Sequence, residues 1–275
     1  MQARSITQRH RRYGRIVPAA LRDILAEADR LLEPERFEDY CVNGVQVPGD
    51  GDGTQEVQRI ATGVSAHTEL FELAVKEAAQ LLLVHHGIFW GPGVRSIDPQ
   101  LKRRLRLLFD ADMTLAAYHL PLDAHPELGN NALLAKHLGA TNVEPFAAHH
   151  DQPIGFVATL PTDEGVNAAE LFGAVARITS REPLVFDAGG SRIRRVAIVS
   201  GAGADYLGAA AAANADALLT GEAPERAMAE ARELGIHLIA AGHYATETFG
   251  IRALGDHLAE RFGLAHVFLD VPNPI

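Results

Sequence analysis

Residues 80–91 read QLLLVHHGIFWG, and the fold is decided by how this stretch is read. Four consecutive apolar residues, Leu81 to Val84, have the length and composition of a strand buried on both faces, as in a parallel sheet covered by helices. Two imidazoles and a glycine follow directly. In open α/β sheets ligands bind beyond the carboxyl ends of the strands, and His85 and His86 stand at such an end.

Working outward, VQRIATGV (57–64), HTELFELAVKEAA (67–79) and QLLLV (80–84) read as strand, helix and strand. A second set, IRRVAIVSG (193–201), ADYLGAAAAANA (204–215) and DALLT (216–220), matches the first without a gap. Ile60 falls on Val196, Phe71 on Leu207, Leu82 on Leu218 and Leu83 on Leu219, so that His85-His86 falls on Gly221-Glu222. A further pair of units superposes His119 on His243 and Asp123 on Glu247, each a strand followed by His-x-x-x-carboxylate. Alanine-rich helices align easily by chance; polar residues at equivalent strand ends do not. The expected fold is therefore α/β, two similar lobes from an internal duplication with a site in the cleft between them. The expected division is a disordered tail at 1–15, a first lobe at 16–147 and a second at 148–275, with the last helix free to pack back on the first lobe. The proline- and glycine-bearing run AAHHDQPIGFVATLPTDEG (147–165) marks the junction.

Composition bounds the function. The chain has 275 residues and a net charge of −10, which argues against a general nucleic-acid or anionic-membrane binder. No apolar run approaches the ~18 residues of a membrane span. The basic start MQARSITQRHRRYGR (1–15) lacks the apolar stretch of a secretion signal, so a cytoplasmic protein is expected. Cys41 is the single cysteine, which excludes an intramolecular disulfide, and a small apolar thiol of this kind is expected to be buried.

Four strands are expected to end in ligand-type residues: His85-His86, His119 with Asp123, Glu222, and His243 with Glu247. His243 and Glu247, four apart, share one face of a helical turn and are able to grip one ion. Adjacent histidines in a regular strand point apart, so a single ion would not take both. Two neighbouring ions with a carboxylate between them would, which makes the pair intelligible as one ligand for each metal. Imidazole with carboxylate suits Zn, Mn, Fe, Co or Ni better than Ca or Mg. A lone histidine is more often a hydrogen-bonded structural residue; the combination at equivalent strand ends is what points to metal. His137, His149, His150 and His257 are expected to be structural. Two ions ~3.5–4 Å apart polarise a substrate oxygen and deprotonate water, so hydrolysis is the reaction class. No GxxxxGK[ST] phosphate loop and no GxSxG elbow is present.

At these residues the chain resembles a known family. VHHGIFWG, YHLPLDAHPELGNNALLAKHLG, LLTGE, AAGHYATETFGIRAL and the closing DVPNPI are similar to the Nif-three-like family, the GTP cyclohydrolase 1 type 2 homologs, in its short bacterial form. The resemblance implies a dinuclear site with His85, His86, Asp123, His243 and Glu247 as metal ligands, Glu247 bridging, and His119 and Glu222 beside them. It also implies a ring-shaped homohexamer and a small-molecule, nucleotide-type substrate. Purine ring opening fits: water attacks C8, and a second attack releases formate, with His119 or Glu222 shuttling protons. Phe89 and Trp90 are placed to stack on a base or to pack, and Lys102, Arg103 and Arg104 are the expected local cations for a triphosphate. A dinuclear hydrolase of phosphoesters or amides and a non-catalytic metal carrier or scaffold are the competing readings.

Overall fold

The computed structural model describes residues 17–50, 53–91 and 96–275. The expected tail at 1–15 lies outside the described residues. Two larger sheets carry the architecture. The first has five strands in the order Ala265–Phe268, Arg59–Ser65, Leu81–His86, Thr114–Ala117, Gly44–Val47. The first four run parallel and Gly44–Val47 closes the edge antiparallel. The second has six, in the order Leu184–Phe186, His237–Ala240, Ala217–Thr220, Arg195–Val199, Gln152–Thr159, Thr141–His149. Its inner three pair in parallel and its flanks are antiparallel. Each sheet thus contains a run of three parallel strands in chain order, with an antiparallel strand beside the third. The alignment read from the sequence lays one run on the other, strand upon strand.

The leucine run behaves as a doubly covered strand should, because alternate side chains point to opposite faces. Leu81 and Leu83 join a core with Ile24 and Ala28 of the helix Leu21–Leu32 and Ile251, Leu254 and Leu258 of the helix Thr248–Phe262. Leu82 and Val84 join another with Leu70, Phe71 and Ala74 of the helix Thr68–Lys76. All four run residues have no exposed surface, and burying each contributes roughly 2 kcal/mol. The second sheet repeats the pattern, Leu218 facing Leu207 and Ala231 while Leu219 faces Leu171 and Val175.

The sheets divide the chain differently from a cut between residues 147 and 148. The helix Asn130–His137 follows a strand of the first sheet, yet its Leu134 and Ala135 pack into the second sheet's core. The strand Thr141–His149 belongs to the second sheet. Conversely, the helix Thr248–Phe262 follows the second sheet's His237–Ala240 strand and packs on the first, and Ala265–Phe268 pairs with Arg59–Ser65. The two halves exchange helices. Sequence pattern alone does not distinguish these partners, since an apolar helix face fits either core.

Candidate metal centre

The exchange brings together residues from both halves. His85 and His86 end a central strand of the first sheet, while His119 and Asp123 start and lie within the short helix Leu120–Ala124. His243 opens the short helix His243–Thr246, and Glu247 links it to the next helix. Gly242, at φ 99, makes the tight entry into that turn.

Four imidazoles are held by their Nδ1 atoms. His85 Nδ1 donates to the Tyr118 carbonyl at 3.0 Å, and His86 Nδ1 lies 3.1 Å from Ser65 Oγ. His119 Nδ1 lies 2.6 Å from Asp39 Oδ1, and His243 Nδ1 lies 3.4 Å from Glu222 Oε1. Such partners fix ring orientation and leave Nε2 for a ligand. The Nε2 atoms converge on carboxylates. Glu247 Oε1 is 3.6 Å from His85 Nε2, and Glu247 Oε2 is 3.1 Å from His86 Nε2 and 3.3 Å from His243 Nε2. Asp123 Oδ2 is 3.5 Å from His85 Nε2, while its Oδ1 accepts from Asn130 Nδ2 at 2.8 Å and Ser200 Oγ at 3.0 Å. Asn131 ties the same corner, donating to the Ile154 carbonyl and accepting from the Ser200 N–H.

A cation fits this arrangement. His85 Nε2 and Glu247 Oε2 are buried without a hydrogen bond among the described residues; the short contacts between them and their neighbours are not in donor geometry. Buried polar atoms of that kind are costly unless something satisfies them. Two sets of donors lie within 4.8 Å of one another, His85, His86 and His119 in one and His86, His243 and Glu247 in the other. Burial by itself would raise the Glu247 carboxyl, but His86, His85 and His243 hold it well below its ordinary range. Burial opposes charging His85 and His243 as well, yet Asp123 and Glu247 push the first up to about 9, and Glu247 and Glu222 push the second up to about 9. His86 moves down, chiefly through burial. Two charged rings 4.7 Å apart would repel.

The centre opens on a cavity of about 580 Å³ between the sheets, lined by His86, His119, Asp123, His243 and Glu247 and by Tyr40, Trp90, His149 and Tyr206. Trp90 is fixed by its Nε1 donating to the Gly87 carbonyl, and its ring lies 5.1 Å from that of His119. Tyr40 and His149 stand with ring centroids 4.8 Å apart.

All seven expected site residues are gathered here, but their places differ from a simple shell. Glu222 contacts the outward nitrogen of His243 and is not among the cavity-lining residues. His119 stands with His85 and His86 as one donor set and lines the cavity. Of the aromatic pair, Trp90 lines the cavity while Phe89 packs into the core. Lys102, Arg103 and Arg104 sit on the helix Pro99–Asp110 and do not line the cavity. His149, expected to be structural, does. Asp39, Tyr40 and Ser200 carry no local signal in the sequence, whereas Asn130 and Asn131 stand inside the motif GNN.

The model of the family described as Duf34/NIF3 (NGG1p interacting factor 3) matches residues 19–274. A GTP cyclohydrolase 1 type 2 homolog of Pseudomonas aeruginosa is 44% identical over 255 residues, covering 93% of this chain and 98% of that protein. One of Allochromatium vinosum is 41% identical over 257 residues, covering 92% and 97%. The solved structure of TTHA1606 from Thermus thermophilus superposes with a TM-score of 0.85 at 36% identity, over 94% of this chain and 100% of that one.

Proposed function

Since the chain belongs to the Duf34/NIF3 family, we propose that it is a dinuclear metal-dependent hydrolase that opens a planar nitrogen heterocycle, in the manner of a GTP cyclohydrolase. The observation that carries this reading is the pair of unsatisfied buried atoms, His85 Nε2 and Glu247 Oε2, of which Glu247 lines a cavity walled by aromatic rings and His85 lies buried against Glu247. His85, His86, Asp123, His243 and Glu247 would hold two divalent ions of Zn, Mn, Fe, Co or Ni. Bound there, such ions supply an activated water and polarise the bond it attacks.

The chain's own residues do the rest. Trp90 and Tyr40 offer flat apolar faces to a ring, and a planar ligand needs little conformational entropy to be held between such faces. His119 holds or delivers a proton at Nε2 because Asp39 fixes its Nδ1. Asp39 remains ionised for that role: burial would raise it, but His119, Asn43 and the Cys41 N–H hold it at about 2. Ser200 and Asn130 keep Asp123 from rotating. Glu222, behind His243, orients that ring.

Metal-loaded protein incubated with GTP tests the reading, with formate release and loss of purine absorbance followed together. Formate that disappears in Asp123→Ala supports it. Turnover of phosphoesters with GTP intact favours another dinuclear hydrolase; no turnover, with metal passing readily to a competing apo-protein, favours a carrier. Assembly as a ring homohexamer belongs to the same proposal. The edge strand Thr141–His149, paired on one side only and bearing exposed Val143, supports an interface. A monomer mass by light scattering at micromolar concentration would remove it.

A further inference from the structure

Among the described residues no lysine or arginine lines the main cavity, so an anionic group on a ligand there needs a cation from elsewhere. A second cavity of about 370 Å³ adjoins it, with Tyr244 and Asn273 lining both. This smaller cavity holds two arginines, Arg181 and Arg252, together with Thr248 and Asp270.

The two arginines are placed differently. Arg181 lies against the backbone of Gly242: a Cβ built on that glycine would meet Arg181 Cδ and Nη1 at 2.7 Å. It therefore sits one residue from the candidate ligand His243. Its Nη1 donates to the Pro274 carbonyl at 2.5 Å, which leaves most of the five guanidinium N–H groups for another acceptor. Arg252 lies over the Phe268 ring, 3.8 Å from its centroid, a cation–π contact that holds the guanidinium in place. Neither arginine has a carboxylate within ion-pair distance among the described residues. Asp270, the acid in the same cavity, accepts from the Tyr244 hydroxyl at 2.6 Å.

We propose that this second cavity is an anion subsite in which Arg181 and Arg252 take the polyphosphate tail of a ligand whose ring occupies the main cavity. The substrate class is then a nucleotide-like molecule that straddles Tyr244 and Asn273, rather than a free base. This rests on the ring-binding reading above for what fills the main cavity, but the subsite itself rests on the arginines. Two forked guanidinium groups, one anchored by the chain's closing segment and one by an aromatic face, suit phosphate oxygens better than a point charge would.

The test uses inorganic tripolyphosphate and chelator-treated protein, so that neither metal binding nor turnover enters. Calorimetry should show binding that weakens about tenfold in Arg252→Gln and in Arg181→Gln, and that Arg252→Lys partly restores. Circular dichroism and later metal uptake should be unchanged in Arg252→Gln, which separates loss of the subsite from loss of fold. In parallel, GTP should bind more tightly than guanosine to the wild type and with nearly equal affinity to the double variant. Absence of tripolyphosphate binding, or binding that both glutamine variants retain in full, would overturn the subsite. Guanosine binding that survives in that event leaves the ring-cavity reading standing, so the two failures are distinguishable.

Discussion

His85 Nε2 and Glu247 Oε1 stand 3.6 Å apart and both residues are buried, although one ends a strand of the first sheet and the other follows the last parallel strand of the second. The contact between them is therefore a contact between the halves. Glu247 also meets His86 and His243 through its other oxygen. Elemental analysis of protein purified without chelator should give close to two transition ions per chain. Glu247→Ala should empty both positions, while His86→Ala should deplete the total by roughly half. Full metal content in Glu247→Ala would take that residue out of the bridge.

Gly201 gives a second route to the same carboxylate. A Cβ there would meet Glu247 Oε1 at 2.3 Å, and φ is 62, where a side chain is strained. Gly201→Ala should cost on the order of 1 kcal/mol in stability for the backbone alone, and should lower metal content by displacing Glu247. A variant that loads metal like the wild type shows that Glu247 has room to move.

Metal uptake should release protons. His85 and His243 are pushed up to about 9 in the metal-free protein, so at neutral pH both carry a proton that a metal ligand cannot keep. Affinity should climb as pH rises from 6 toward 9 and level above it. Calorimetry in buffers of different ionisation enthalpy measures the proton count directly. An affinity flat across that window would contradict the picture.

Cys41 should be chemically quiet. Burial, reinforced by Asp39, pushes its thiol up to about 11, so almost no thiolate exists at pH 8. Labelling by a thiol reagent should be slow in native protein and fast in urea. Rapid native labelling would mean that the segment around Cys41 opens easily.

How much of this was legible in the sequence depends on the distance between partners. The His85-His86 strand end was legible because a buried apolar run and two imidazoles lie side by side, and the matched His-x-x-x-carboxylate units needed only local spacing. Asp39 was not: it reaches His119 across 80 positions, from a loop with no periodicity. Ser200 meets Asp123 across 77. The same holds for Arg181, whose nearness to Gly242 follows from tertiary packing. The strand Ala265–Phe268 reads from sequence as part of the second lobe, because a short strand after a helix carries no sign of which sheet it will join.

The helix exchange also orders events on the ribosome. Until the helix Thr248–Phe262 and the strand Ala265–Phe268 have emerged, the strand Arg59–Ser65 has a bare edge, and the groove over Leu81 and Leu83 lacks Ile251, Leu254 and Leu258. Neither half can mature as an independent foldon, since the helix Asn130–His137 waits for a sheet not yet made and that sheet's own last helix leaves to serve the first. Closure waits for the helix Thr248–Phe262, which begins directly after Glu247, and the packing of that helix sets Glu247 beside His85. The donor set of His86, His243 and Glu247 is therefore completed only when the second half has been made, whereas His85, His86 and His119 all come from the first.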